Sequence, residues 1–319
     1  MTKKTAVVMF NLGGPDSLDA VKPFLFNLFY DPAIITVRNP FRWIIAKIIS
    51  SRRAPIAQDI YRLIGGKSPI LEQTLAQSNA LEATLNSHGT QEYKCFVFMR
   101  YWHPFAKEVA QDVKSYNPDN IILLPLYPQY SVTTTGTGLI EWNKQAQNIN
   151  LDIPYQVIKD YPDHEFFIQS IADMINQKLD NIKDASEYRL LLSAHGLPKK
   201  TIEAGDPYQI QVEKTCAALV KTLDNENLDH VVCYQSRVGP LEWIGPSTDD
   251  EIERAAKDHK NIIMVPVAFV SEHSETLVEL DIEYKELADD AGISDYIRIN
   301  TVGSGQKFID GLSELVLGK

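Results

Sequence analysis

Cysteine is scarce. Cys95, Cys216 and Cys233 stand far apart among 319 residues, with no Cys-x-x-Cys pair. Within one chain that argues against a disulfide framework and a four-thiolate metal centre, so the three are expected to be reduced and buried. Long apolar runs are missing as well: no segment reaches the length of about 18 residues that a membrane-spanning helix needs. The opening MTKKTAVVMFNLGG has one short apolar run that meets a Gly-Gly-Pro turn, which reads as a first strand and not as an export signal. Positive charge is in deficit, with 31 Lys and Arg against 42 Asp and Glu and a net charge of −11. That is the wrong sign for a nucleic-acid partner. Neither phosphate loop, GxGxxG or GxxxxGK[ST], is present, nor is the HExxH zinc helix.

What the chain does have is alternation. TAVVMFNL, YKCFVFMRY, NIILLPLYP, IPYQVIKDY, YRLLLSAHG, HVVCYQS, NIIMVPVAFV and DYIRIN are short runs rich in Val, Ile, Leu and Tyr, and each reads as a buried strand. Between many of them lie segments of helical period, such as SPILEQTLAQSNALEATLNSH and DHEFFIQSIADMINQKLD. Strand and helix in turn predict parallel sheets covered on both faces, and the length favours two domains. The expected fold is α/β, with two similar doubly wound domains on four-stranded parallel sheets, residues 1–158 and 159–302. A last helix within residues 303–319, with no strand after it, is expected to pack back on the first domain.

In such sheets ligands gather beyond the carboxyl ends of the strands, and six strand ends here carry distinctive residues: NLGGP, RYWHP, YPQYS, SAHGLP, QSRVGP and SEHSE. NLGGP reads as a tight turn that brings backbone close to a flat ligand. YSVTTTGTG could hold an anion through its hydroxyls and Gly136. His195 closes one apolar strand, and His273 with Glu272 and Glu275 follows another, a set suited to proton transfer or a divalent metal. Arg52 and Arg53 in SSRRAP, followed by Tyr61 and Ser68, suit a carboxylate. Residues 23–49 crowd Phe24, Leu25, Phe26, Leu28, Phe29, Ile34, Phe41, Trp43 and Ile44 around Arg38, Arg42 and Lys47. This is either ordinary packing or the lip of an apolar pocket that also touches a membrane surface. Finally, SEHSETLVELDIEY sets Glu275, Glu279 and Glu283 at i, i+4 and i+8, which drift by only roughly 40° per step on a helix. Like charges so placed repel, and no Lys or Arg in the stretch offsets them.

Taken in order, NLGGP, RRAP with QDIYRLIGGKSPI, RYWHP, LYPQYS, SAHGLP with GDPY, YQSRVGPLEWIGP, and VPVAFVSEHSETLVELDIEY make the chain resemble the ferrochelatases over nearly its whole length. That resemblance implies a class II chelatase-like fold and the insertion of ferrous iron into protoporphyrin IX, the terminal step of haem biosynthesis. It implies His195 as proton acceptor with Glu275 as its partner, both also able to ligate the incoming metal. His273, Glu279, Glu283, Arg100 and Tyr101 would lie on a proton or metal path. A π-bulge in the acidic helix would align carboxylates four apart. Leu12, Leu25, Leu28, Phe29, Ile34 and Trp243 would face the macrocycle, and Arg52, Arg53, Tyr61 and Ser68 its propionates. Some relatives hold an iron–sulfur cluster on cysteines near the C-terminus; no cysteine follows Cys233 here, so no cluster and no prosthetic group are expected. The RYxHP and YPQYS forms resemble the protoporphyrin branch more than the coproporphyrin branch. The implied setting is the cytoplasm, with peripheral contact at the inner face of a membrane. Two rivals remain. A cobalt chelatase with an eight-carboxylate substrate would want a more basic and open cleft, and a two-domain metal-complex binding protein would not need the acidic row.

Overall fold

Ala6, Val7, Val8, Met9 and Phe10 are consecutive and all buried, as in a strand covered on both faces. The computed structural model, which describes residues 3–89, 91–225, 227–237, 239 and 241–318, divides the chain into two compact units. These are Met1–Asp160 with Leu312–Lys319, and Tyr161–Gly311.

In the first unit β1 (Lys4–Asn11) is followed by α1 (Val21–Tyr30), α2 (Phe41–Leu63) and α3 (Ile70–Ser87). β2 (Glu92–Met99), α4 (Ala106–Tyr116), β3 (Asn120–Pro125), α5 (Thr137–Asn148) and β4 (Tyr155–Val157) complete it. The strands are parallel in the order β2-β1-β3-β4, with Lys4 opposite Glu92 and Thr5 opposite Asn120. Each crossover needs a long return, which the helices supply. One core cluster stacks Phe10 on Phe98 at 5.1 Å and Phe98 on Trp142 at 5.9 Å. Another joins Val21, Phe24 and Leu25 of α1 to Ala54 and Tyr61 of α2. Local signals agree with the helix ends: at α4 the Glu108 carboxylate accepts from the Phe105 N–H at 2.6 Å, and Asn117 closes the helix at a φ of 53°.

The second unit repeats the plan with α6 (Glu165–Leu179), β5 (Tyr188–His195), α7 (Lys199–Glu203), α8 (Tyr208–Thr222), β6 (His230–Gln235) and α9 (Thr248–Lys257). Then come β7 (Asn261–Pro266), α10 (Tyr284–Asp290), β8 (Tyr296–Arg298) and α11 (Gln306–Leu317). Its sheet is parallel in the order β6-β5-β7-β8. Leu191, Cys233, Ile252, Ile262, Met264, Leu280 and Tyr284 form a core cluster. All three cysteines are free, Cys216 and Cys233 buried and Cys95 half-buried. The division between units falls inside α11, between Gly311 and Leu312. Among the described residues no helix is long and apolar enough to cross a membrane.

The glycines of NLGGP bring parts of the chain itself close together. Gly13 has a φ of +85°, and a Cβ there would lie 2.8 Å from the Met99 Cβ; one on Gly14 would lie 2.5 Å from the Ser68 Cβ. The glycines permit close approach, and at the two Cβ positions it is the chain's own Met99 and Ser68 side chains that approach.

Candidate functional site

β5 ends where its apolar run does, and the last residue is His195, with its backbone opposite Gln235 at the end of β6. From β7 the chain passes through residues 267–274 into a nine-residue π-helix, Glu275–Glu283, that continues as α10. This places Glu275 against His195: Nδ1 lies 2.9 Å from the Glu275 Oε2. The same Oε2 lies 3.7 Å from the His273 Nε2. His273 is buried, its ring tilted at 57° to that of Phe269 with centroids 4.6 Å apart, and its Nδ1 has no hydrogen-bond partner among the described residues. Beside His195, Trp243 pairs with Pro198 in an antiparallel bridge, its indole half-buried and its Nε1 without a hydrogen-bond partner among the described residues. Gly196 allows that approach, since a Cβ there would be 3.4 Å from the indole.

Each acid of the 271–284 stretch has its own solution. Glu272 and Asp281 both pair with Arg298 from β8, the basic residue that the stretch itself lacks. Glu275 is taken by the two histidines. Glu279 accepts from the Ser236 N–H (2.8 Å) and Tyr284 hydroxyl (3.2 Å) at Oε1, and from the Ser236 hydroxyl (2.5 Å) and Gln235 Nε2 (2.9 Å) at Oε2. Gln235 also reaches the Glu275 carbonyl at 3.3 Å, so one amide ties two turns of the π-helix to the end of β6. Glu283 is exposed.

These environments separate the titrations. Burial alone would lower the His195 pKa, but the charge and hydrogen bond of Glu275, then the charge of Glu279, raise it above its ordinary value. Burial works on Glu275 in the other sense and is overcome by His195 and His273, which hold the carboxyl well below the usual range. Glu279 moves upward, through burial first and the Glu275 charge second, with Ser236 and Gln235 offsetting only part. Two carboxylates four residues apart thus differ in proton affinity, the pattern that divides acid from base roles.

In the first unit Leu12, Leu25, Leu28, Phe29, Tyr61 and Tyr101 meet in a single cluster. Ile34 is exposed, as are Arg52 and Arg53 on α2, whereas Ser68 is buried with its N–H on the Pro15 carbonyl. Arg100 and Tyr101 converge on Asp31, which local pattern did not single out. The Asp31 Oδ2 accepts from Arg100 Nη2 at 2.5 Å, the Tyr101 hydroxyl at 3.0 Å and the Thr137 hydroxyl at 2.5 Å, while Oδ1 accepts from the Ala33 N–H. Thr137, the first residue of α5 in the threonine-rich stretch after β3, also accepts from Arg100 Nε at 2.7 Å, so this hydroxyl serves a buried charge pair.

Comparison with known proteins identifies a family. Residues 4–319 match the family model described as ferrochelatase. A ferrochelatase of Pelagibacter ubique is 52% identical over 317 residues, covering 99% of this chain and 91% of that protein. One of Rickettsia felis is 53% identical, covering 99% and 90%, and one of Caulobacter vibrioides is 50% identical with the same coverage. Among solved structures, SirB from Bacillus subtilis with Fe3+ aligns with a TM-score of 0.57 at 10% identity, over 99% of this chain and 94% of that one. CbiX, described as the terminal enzyme for biosynthesis of siroheme in denitrifying bacteria, aligns with a TM-score of 0.50 at 12% identity, over 99% of both chains. At such identities these two speak to the fold alone, a two-domain chelatase arrangement of parallel sheets.

Proposed function

The chain belongs to the ferrochelatase family, and on that premise we propose that it is a protohaem ferro-lyase, inserting ferrous iron into protoporphyrin IX to form protohaem. The observation that carries the site assignment is the 2.9 Å contact between the His195 Nδ1 and Glu275 at the end of β5. Insertion replaces two pyrrole N–H protons by one Fe²⁺, so the charge balances only if both protons are removed. His195 spends Nδ1 on Glu275, which leaves Nε2 to accept the two pyrrole protons in turn, passing the first on before it takes the second. Glu275 then stabilises the imidazolium, as the carboxylate partner of a catalytic histidine does. Before it takes a proton, the His195 Nε2 offers a nitrogen donor, and the Glu275 carboxylate an oxygen donor, to the arriving dication.

Beyond them Glu279 and the exposed Glu283 extend a carboxylate row suited to cation passage, protons outward or iron inward. Passage belongs to that row more than to Arg100 and Tyr101, whose ties to Asp31 favour a fixed scaffold. The apolar cluster of Leu12, Leu25, Leu28 and Phe29, with Ile34, and the indole of Trp243 suit a flat macrocycle. Arg52, Arg53, Tyr61 and Ser68 are assigned to its propionates. The enzyme is taken to work without a prosthetic group: burial pushes the Cys233 thiol up to about 12 and those of Cys95 and Cys216 higher still, which opposes thiolate ligation of a cluster. Its place is the cytoplasm, peripheral on the inner membrane face through α2.

The test is anaerobic incubation of the purified chain with protoporphyrin IX and ferrous iron, following loss of free-porphyrin fluorescence. His195→Ala should reduce turnover by at least about 10²-fold, the typical contribution of a general base, while porphyrin still binds. Equal loss of binding and turnover would make His195 a structural residue.

A further inference from the structure

A π-helix of nine residues is long for a conformation found mostly as single-turn bulges. Such a backbone persists where its surroundings over-determine it. Here the grips come from both edge strands of the second sheet, β6 on one side and β8 on the other. The β6 grip is Gln235 and Ser236 on Glu279. The β8 grip involves two side chains spaced two apart, on one face of the strand. The Tyr296 hydroxyl donates to the Leu280 backbone carbonyl at 2.6 Å. Arg298 closes a two-pronged fork on Asp281, Nε to Oδ1 and Nη2 to Oδ2, both at 2.6 Å. Its Nη1 reaches the Glu272 Oε1, also at 2.6 Å, and the Thr301 N–H donates to that same oxygen at 2.9 Å. Arg298 therefore holds one residue before the π-helix and one inside it, bracketing Glu275. A planar guanidinium fixes both carboxylates in direction as well as distance.

We propose that Tyr296 and Arg298 are positioning residues for metal insertion: they clamp the π-helix from the β8 edge and so keep Glu275 at hydrogen-bond distance from His195. The proposal rests on the reading of His195 and Glu275 as the insertion pair. Neither Tyr296 nor Arg298 contacts His195 or Glu275 in the hydrogen bonds described, so their effect runs through the backbone of residues 272–281. Displacement of a catalytic group by about 1 Å can cost roughly 10²-fold in rate even when the change is remote from the chemistry.

The experiment pairs hydrogen exchange with kinetics on the full chain. In Arg298→Gln the amides of residues 275–283 should exchange at least about tenfold faster while β5 and β7 stay protected, and kcat should fall roughly 10- to 100-fold with the porphyrin KM unmoved. Arg298→Lys keeps the charge but not the fork and should rescue little. Tyr296→Phe, which deletes one hydroxyl, should move exchange and kcat in the same direction by less, and it carries the test if Arg298→Gln does not fold. Unchanged exchange in 275–283 overturns the clamp. Exchange that rises evenly through the unit also overturns it, since that is general loosening. Faster local exchange with unaltered kcat overturns the link to turnover, and His195→Ala assayed alongside tells whether the insertion pair itself has failed.

Discussion

At His195 two pressures meet, burial disfavouring the charged imidazole and Glu275 favouring it, and the second wins. Its folded pKa stands above the ordinary 6.5, so its contribution to stability is complete below that value and is lost as pH rises through the raised one. Glu275 stands below its ordinary 4.5, so its contribution is complete above 4.5 and is lost as pH falls through the lowered value. The pair therefore stabilises most between 4.5 and 6.5. Thermal melts should find the gap between wild type and Glu275→Gln widest in that window and narrowing at alkaline pH. For turnover the imidazole must be free to accept a proton, so kcat should climb through an acid limb above 6.5. Glu275→Gln removes the charge that raises His195, so this limb should move to lower pH as kcat drops; a limb that stays in place would assign it to another group. A different test applies to Arg53, which is assigned by proposal to the propionates. It is exposed, and Arg53→Ala should raise the porphyrin KM several-fold with kcat kept. A fall in kcat alone would remove Arg53 from the propionate edge.

At the scale of elements, β1, β3, β5 and β7 were legible because buried parallel strands are unbroken apolar runs, and TAVVMFNL and YRLLLSAHG could be little else, whereas the edge strands β4 and β8 are three residues long and not buried. The pairing of His195 with Glu275, seen as a 2.9 Å contact, was expected from motif resemblance. What local pattern could not reveal were the long-range partners. Arg298 lies 26 residues beyond Glu272, and Arg100 lies 69 beyond Asp31, and periodicity carries no signal across such separations. The acidic stretch therefore looked unbalanced until β8 supplied its cation. This bears on Glu279, whose two oxygens take four hydrogen bonds. In Glu279→Gln one oxygen becomes an NH₂ facing donors, so both the charge and part of the tie to β6 are lost. If the row delivers iron, the apparent KM for Fe²⁺ should rise and high iron should restore the rate. If it exports protons, kcat should fall at every iron concentration. Wild-type kinetics would leave Glu279 a structural residue that only fastens the π-helix.

For the whole molecule, the net charge of −11 repels it from an anionic membrane, so any contact must be made through a region of the opposite sign. α2 and the segment before it offer one. Phe41 is 64% exposed, and Val37, Trp43, Ile44 and Ile48 are between 43% and 46% exposed, which is costly in water without a partner surface. Basic residues are interleaved: Lys47 lies 4.7 Å over the Trp43 ring and Arg42 lies 5.4 Å over that of Tyr30. A groove lined by Lys22, Pro23, Phe26, Trp43, Lys47 and Ser50 opens on the same helix pair. Phe29, by contrast, packs into the α1–α2 cluster, so Phe29→Ser would test folding more than binding. Phe41→Ser with Ile44→Ser is the informative pair. Each removes up to about 1.5–3 kcal/mol of apolar burial if the side chain enters the lipid boundary, so reversible binding to vesicles containing anionic lipid should weaken at least about tenfold. Binding by the wild type should fall with added salt, and delivery of porphyrin from the bilayer should slow in the double variant while turnover with detergent-dispersed porphyrin is kept. Vesicle binding that survives both substitutions unaltered would exclude this face as a lipid-binding surface and leave α2 as an ordinary, if apolar, surface helix.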